Sequence, residues 1–319
     1  MAQHFLLSAK ARTISLKSVY QMGEDKAYEL FCSLRWPETE GEAVCPRCGC
    51  CDSYDIPSRR KFQCKGCGHQ FSVTSGTLFA GRKLAFTDLL AAIVIFVNGA
   101  KGVSALQVSR DLDCQYKTAY VLCQKLREAM MAEQIDRKLD GIVEMDGAYF
   151  GGYVKPENYA AERKDRRLKI NRSGKRQCVV IMRERGGKSL PFVVANEGDA
   201  VPYVRDHVEN LATLYADEGS GWDTLHAGWM TKRVNHSVAF MDEGVCTNQA
   251  ESYFSRLRRM EIGTHHHIAG PYLNAYAGEA SWREDNRRVS NGNQALMVVA
   301  SAMSSRQSRN WAGYWQRAA

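Results

Sequence analysis

Three carboxylates stand where apolar segments end and turn polar. Asp146 closes "GIVEMDG", Asp217 closes "TLYADEG", and Glu251 lies near the start of "TNQAESYFSRLRRM". Each has an ordinary explanation alone: a turn cap, a loop bracket with Glu218, or a capping box between Asn248 and Glu251. Together, two aspartates on strands and a glutamate on a helix match the set that holds two divalent cations for phosphoryl transfer. Hard Mg²⁺ or Mn²⁺ takes oxygen ligands and keeps waters, so two Asp and one Glu suffice beside substrate phosphate oxygens. Asn248 stands three residues before Glu251 and competes with it as third ligand; Glu251 is preferred because a carboxylate neutralises cation charge and an amide does not. Arg258 follows Glu251 by seven residues, two helical turns on and nearly the same face.

A second constellation is sulfur. "CPRC" and "CKGC" (Cys45, Cys48, Cys64, Cys67) enclose fifteen residues and can surround one tetrahedral Zn²⁺. All-sulfur ligation leaves no open position, so this zinc folds a module and performs no chemistry. Cys50 and Cys51 sit beside the second ligand and blur which sulfur is used.

These groups need elements to position them. The strands "GIVEMDG", "QCVVIMRE", "LPFVVAN" and "TLYADE" and the helices "AVPYVRDHVENL" and "NQAESYFSRLRRM" give an α/β texture from about residue 139. In "GIVEMDGAYFGG" alternation buries Val143 and Met145 and turns Glu144 and Asp146 to the other face, while Gly147, Ala148, Gly151 and Gly152 leave room for a phosphate backbone. Before it, "GVSALQVSRDLDCQYKTAYVLCQKLREAM" has the cadence of a helix-turn-helix: Ser104 caps a helix carrying Leu106, Val108 and Leu112. A second helix turns Ala119, Leu122 and Leu126 inward and Gln115, Lys117, Thr118 and Gln124 outward, towards DNA. A plain helical hairpin is the alternative.

Bulk properties set limits. The chain has 319 residues, room for two or three domains, and a formal charge of +8 that leans towards a polyanion. "LLAAIVIFV" is too short to span a bilayer and reads as a buried helix. Eleven cysteines without an export signal favour a reducing cytoplasm. Residues 155–176 hold nine Lys/Arg against three Asp/Glu; this insertion, with Arg163, Lys164, Arg166 and Arg167, is read as a clamp on DNA. Three adjacent histidines, His265 to His267, cannot all face one ion, and contact of His266 with the DNA backbone is preferred. Trp222, Trp282, Trp311 and Trp315 are read as packing residues, with base stacking left open for one.

The chain resembles the bacterial insertion-sequence DDE transposases with an N-terminal zinc ribbon, the ISXO-like branch. The resemblance rests on "RWP", "CPRC…CKGC…FS", the helix-turn-helix, "EMDGAYFGG", "ADEGSGWDTL", "VNHS", "TNQAESYFSRLRRMEIGTHHHIAGPYL" and "GEASWREDNRR", nearly the whole length. It implies a multidomain α/β protein: a helical segment (1–37), a zinc ribbon (38–82), a helix-turn-helix domain (83–135) and an RNase H-like catalytic domain (139–319). It implies Asp146, Asp217 and Glu251 as the catalytic triad and Arg258 in the place of a basic residue that follows it. The implied function is binding of terminal inverted repeats in double-stranded DNA, cleavage and strand transfer into target DNA. A cytoplasmic homo-oligomer, a dimer or higher, would hold two ends on the nucleoid. The rival readings are a non-catalytic DNA-binding regulator and an RNase H-like nuclease without strand transfer.

Overall fold

The structure is a computed structural model, and it describes residues 4–132, 134, 136–151, 157–165, 168–171, 176–234 and 244–316. The chain divides into two compact units, Met1–Glu133 with Asn286–Ala319, and Gln134–Asp285. The second is shorter than the expected 139–319, because the C-terminal segment belongs to the first unit.

In the first unit, α1 (Leu16–Arg35) starts at a Ser15 cap and breaks at Gly23, whose positive φ no helix accommodates. Three short antiparallel strands follow, β1 (Ser53–Ile56), β2 (Lys61–Cys64) and β3 (Gln70–Phe71). Phe62 and Phe71 pair across β2 and β3, and Trp36 packs edge-on against both. The apolar run becomes α2 (Phe86–Asn98), in which Leu89 through Val97 are all buried, as the sequence requires of a helix with no polar face. Its start is held from a distance: the Glu24 carboxylate accepts from the Phe86 and Thr87 amides at 3.0 and 2.9 Å. Then come α3 (Ala105–Asp111), capped by Ser104 as expected, and α4 (Tyr116–Ala132). The last helix, α8 when numbered in chain order (Asn291–Ser304), packs against α1, α2 and α4.

The second unit is built on one five-stranded sheet. Its strands are β4 (Ile142–Gly151), β5 (Arg176–Glu184), β6 (Ser189–Val194), β7 (Thr213–Asp217) and β8 (Met230–Val234), in the order β6-β5-β4-β7-β8. The pairs β4–β5 and β5–β6 are antiparallel, and β4–β7 and β7–β8 are parallel. The four expected strands are present; β8, with one buried residue in five, gave no apolar run to read.

Both faces of the sheet are covered. Val143, Met145, Val180 and Met182 pack with α5 (Val201–His207) and Trp222. Ala148, Phe150, Val179 and Ile181 pack with α6 (Asn248–Met260) and α7 (Leu273–Asp285). Helix α7 carries the "GEASWRED" run, and its polar residues are buried: Glu284 takes ion pairs from Arg183 at 3.4 Å and Arg256 at 2.7 Å, and Asp285 takes Arg137 at 2.9 Å. That motif is internal scaffolding that fixes α6 and β5 to one another. Among the described residues, no helix is long and apolar enough to cross a membrane.

Candidate active site

Strand β4 carries both of its acids on the face that α6 covers, since residues of one parity share a face and Ala148 and Phe150 of that parity touch Ala250 and Phe254. The two acids meet different fates there. Glu144 is fully buried and fully satisfied. One carboxylate oxygen accepts from Arg185 Nε at 2.8 Å; the other accepts from the amides of Gln249 at 2.7 Å and Ala250 at 3.2 Å. These are the first amides of α6, so Glu144 caps that helix from across the sheet, where a negative charge is favoured by the dipole. Arg185 extends the tie to the carbonyls of Gly244 and Cys246. The local capping box read from the sequence is not what forms: Thr247 stands at the N-cap position and its side chain does not cap the helix, and Asn248 and Glu251 both lie inside the helix.

Asp146, one step along the same face, has no cationic partner among the described residues. Its Oδ1 accepts from the Gly147 amide at 2.7 Å. Burial, together with the charges of Asp217, Glu197 and Glu251, overrides that bond and raises its pKa to about 7. The parallel register places Ile142, Val143 and Glu144 beside Thr213, Leu214 and Tyr215. Continued by two residues, it sets Asp146 level with Asp217 on the neighbouring strand. Asp217 Oδ1 takes the Gly219 amide at 3.0 Å, and a Cβ on Gly219 would stand 2.9 Å from that oxygen. Glu251 is exposed in the first turn of α6, and Arg258 is exposed two turns later.

Glu197 was not foreseen. It opens the turn after β6, and its own pKa is raised by burial and then by Asp217. A Cβ on Gly147 would lie 2.4 Å from Glu197 Cγ, and one on Gly221 would lie 3.1 Å from Glu197 Cβ. This corrects the reading of the glycines: the space at Gly147 is filled by Glu197, Ala148 is buried, and Gly152 lies outside the described residues. The signal for Glu197 was its place in "FVVANEGD", another acid just past a strand end. Among the described residues only the four cysteines gather ligand atoms within 4.8 Å of one another.

At the cysteines, Cys45 Sγ lies 3.7 Å from Cys67 Sγ and Cys48 Sγ 3.5 Å from Cys64 Sγ. A tetrahedron of Zn–S bonds near 2.3 Å gives sulfur separations of about 3.8 Å, so the set fits zinc. Gly49 and Gly68, both at positive φ, turn the two knuckles, and amides of Arg47 and Cys48 face Cys45 Sγ. Cys50 and Cys51 face backbone groups of Asp52 and Gly49 and lie outside the cluster.

The DNA-contact expectations divide. Gln115 and Lys117 are exposed and Thr118 is half-buried, but Gln124 is fully buried, on the inner face of α4. Leu106, expected inside, is 47% exposed. Arg163 binds the carbonyls of Glu157 and Asn158, Lys164 is exposed, and Arg166 and Arg167 lie outside the described residues. His265 packs edge-on against Tyr276, while His266 is exposed at positive φ. Trp222 and Trp282 are core residues.

A mixed five-stranded sheet with acids at the ends of adjacent strands, in a chain with a four-cysteine knuckle pair, is the setting for two domain matches. Residues 138–285 match the ISXO2-like transposase domain, and residues 22–70 match the transposase zinc-ribbon domain. The chain therefore belongs to the ISXO-like family of insertion-sequence DDE transposases with an N-terminal zinc ribbon. It is 25% identical over 272 residues to an uncharacterized protein in transposable element ISH50 of Halobacterium salinarum, covering 80% of this chain and 90% of that protein.

The Asp146 geometry has a consequence for stability. A carboxyl held at about 7 when folded, against an ordinary value of 3.8, favours folding fully below pH 4, and that contribution is lost as pH rises through 7. Metal-free protein is therefore expected to melt lower at pH 8 than at pH 5, and Asp146→Asn to raise the melting temperature more at pH 8 than at pH 5. Scanning calorimetry in chelator checks this; equal melting of wild type and variant at pH 8 contradicts it.

Proposed function

We propose that the chain is a DNA transposase that binds the terminal inverted repeats of its element and cuts and joins DNA at the Asp146 site. The observation that carries this reading is Asp146 itself: a buried carboxyl ringed by Asp217, Glu197 and Glu251, in a domain of a transposase family. Burying uncompensated negative charge is costly unless a cation arrives to neutralise it. The donors are hard oxygens, which suits Mg²⁺ or Mn²⁺ and not a soft metal.

We read the second unit as RNase H-like, a reading supported by three antiparallel strands followed by two parallel ones, with helices on both faces. Asp146, Asp217 and Glu251 would hold two divalent ions, and Asn248 is the alternative to Glu251. Bound there, such ions lower the pKa of the attacking water or 3′-hydroxyl and stabilise the leaving oxygen. The protein's own part is positional. Glu144 and Arg185 hold the start of α6, and hence Glu251, against β4. Glu197 adds negative charge beside Asp146. Arg258, two turns beyond Glu251, would meet a DNA phosphate.

In the first unit we read α3 and α4 as a helix-turn-helix that offers Gln115, Lys117 and Thr118 to DNA, with Lys164 and His266 of the second unit as backbone contacts. Structural zinc at Cys45, Cys48, Cys64 and Cys67 would hold the ribbon. Two element ends must be held together, which calls for a homo-oligomer on DNA, in the cytoplasm where that DNA lies.

Cleavage of a duplex carrying the element's end is expected to need Mg²⁺ or Mn²⁺ and to fall by about 10³-fold or more in Asp146→Ala, Asp217→Ala and Glu251→Ala. Asn248→Ala should retain most activity; loss in Asn248→Ala with survival of Glu251→Ala reverses the ligand choice. Precut ends should give joined products, and nicking without joining points to a nuclease. Elemental analysis should find one zinc per chain, released in Cys64→Ser together with the fold of the ribbon; full zinc content in that variant contradicts the assignment.

A further inference from the structure

The first unit contains a cleft of about 460 Å³ that shares Lys117 and Thr118 with the helix face read above as a DNA contact, and extends beyond it. One wall is α4, whose Lys117, Val121 and Lys125 recur every fourth residue and so share a face. The second wall is the turn before α2, with Arg82 and Lys83, and the third is the segment from Trp311 to Gln316 near the C-terminus. Four of the lining side chains are cationic and none is a carboxylate. A volume in the range of about 300–1,000 Å³ suits a small ligand or one nucleotide and is far too narrow for a duplex.

Its chemistry is specific in two ways. Lys125 is half-buried, and burial lowers its ammonium pKa although Glu128 opposes the shift, so the cleft holds a partly desolvated cation that an anion would relieve. Beside it, aromatic rings cluster around Tyr120: Trp311, Tyr314 and Trp315 all lie within 6.2 Å of that ring. Trp315 is the exposed member at 47%, its indole N–H is fixed to the Lys117 carbonyl at 3.2 Å, and the Lys117 ammonium lies 5.2 Å from its ring. An immobilised, half-exposed indole beside several cations is what a base and its phosphate require together.

We propose that this cleft binds a single unpaired nucleotide of a DNA strand, its phosphate among Lys83, Lys117 and Lys125 and its base against Trp315. The proposal rests on the reading that the chain acts on DNA, and it places the C-terminal aromatic segment and the outer face of α4 in one composite site. Extruding a base costs a few kcal/mol and least at a frayed or single-stranded position, so the cleft would select DNA that is already locally open.

The test uses the full-length protein and a short single-stranded DNA carrying a fluorescent purine analogue, in chelator so that no cleavage occurs. Binding is expected to quench the analogue. Trp315→Ala should abolish the quenching and Lys125→Gln should weaken binding by about 5–150-fold, the range that one lost stacking contact or one lost charge contact spans. Asp146→Asn should retain the quenching in full. Loss of cleavage in that variant with quenching kept therefore separates this proposal from the catalytic reading. Unchanged quenching and affinity in both Trp315→Ala and Lys125→Gln overturns it. So does displacement by inorganic phosphate as effective as by the oligonucleotide, which would make the cleft a simple anion site. Circular dichroism melts of both variants guard against loss of fold, and if Trp315→Ala melts early, Trp315→Phe, which keeps a π face, should keep partial quenching.

Discussion

The second unit is organised by two carboxylates on one strand face and the unequal way their charges are met. A strand buried on both sides cannot carry bare acid cheaply. Glu144 is compensated completely, by the Arg185 guanidinium and two amides of α6, and that compensation is itself the joint between sheet and helix. Asp146, two residues on, meets no guanidinium or ammonium among the described residues, and the three other carboxylates around it raise its energy further. The fold thus uses one acid to place a helix and leaves the other strained, so a cation gains most by binding at the second. The buried pairs of α7 with Arg183, Arg256 and Arg137 serve the first task, holding the frame rigid around a site that repels itself.

Much of this was legible in the sequence, for physical reasons that differ by element. Strands β5 to β7 were visible as apolar runs ended by polar residues, β4 by its alternation of apolar residues with Glu144 and Asp146, and α2 because nine consecutive apolar residues have no solvent face to offer. The cysteine spacing was decisive because a tetrahedral ion tolerates few geometries. What could not be read is tertiary. Helices α2 and α6 are capped by Glu24 and Glu144, which lie 62 residues from Phe86 and 105 residues from Gln249, distances that no local capping rule reaches. Gln124 read as outward because it is polar, yet it sits on the inner face of α4; Leu106 read as inward because it is apolar, yet it is half-exposed. Glu197 has no periodic context, and only the approach of its turn to Gly147 reveals it.

The two units divide the work in a way their chemistry makes plain. The first offers sulfur ligands, cations and aromatic rings, groups that suit the grip on DNA proposed above. The second offers carboxylates, which repel DNA until divalent ions invert the local charge. Binding and chemistry are therefore expected to respond differently to salt and to metal: salt weakens the first, and chelation silences the second.

The most direct measurement of the central claim is diffraction from crystals of the protein with Mn²⁺, using the anomalous signal of manganese to locate the ion. The expected result is anomalous density at the Asp146 carboxylate, shared with Asp217 or Glu251 and absent from crystals of Asp146→Asn. Density found only at other carboxylates, or unchanged in the variant, would contradict it.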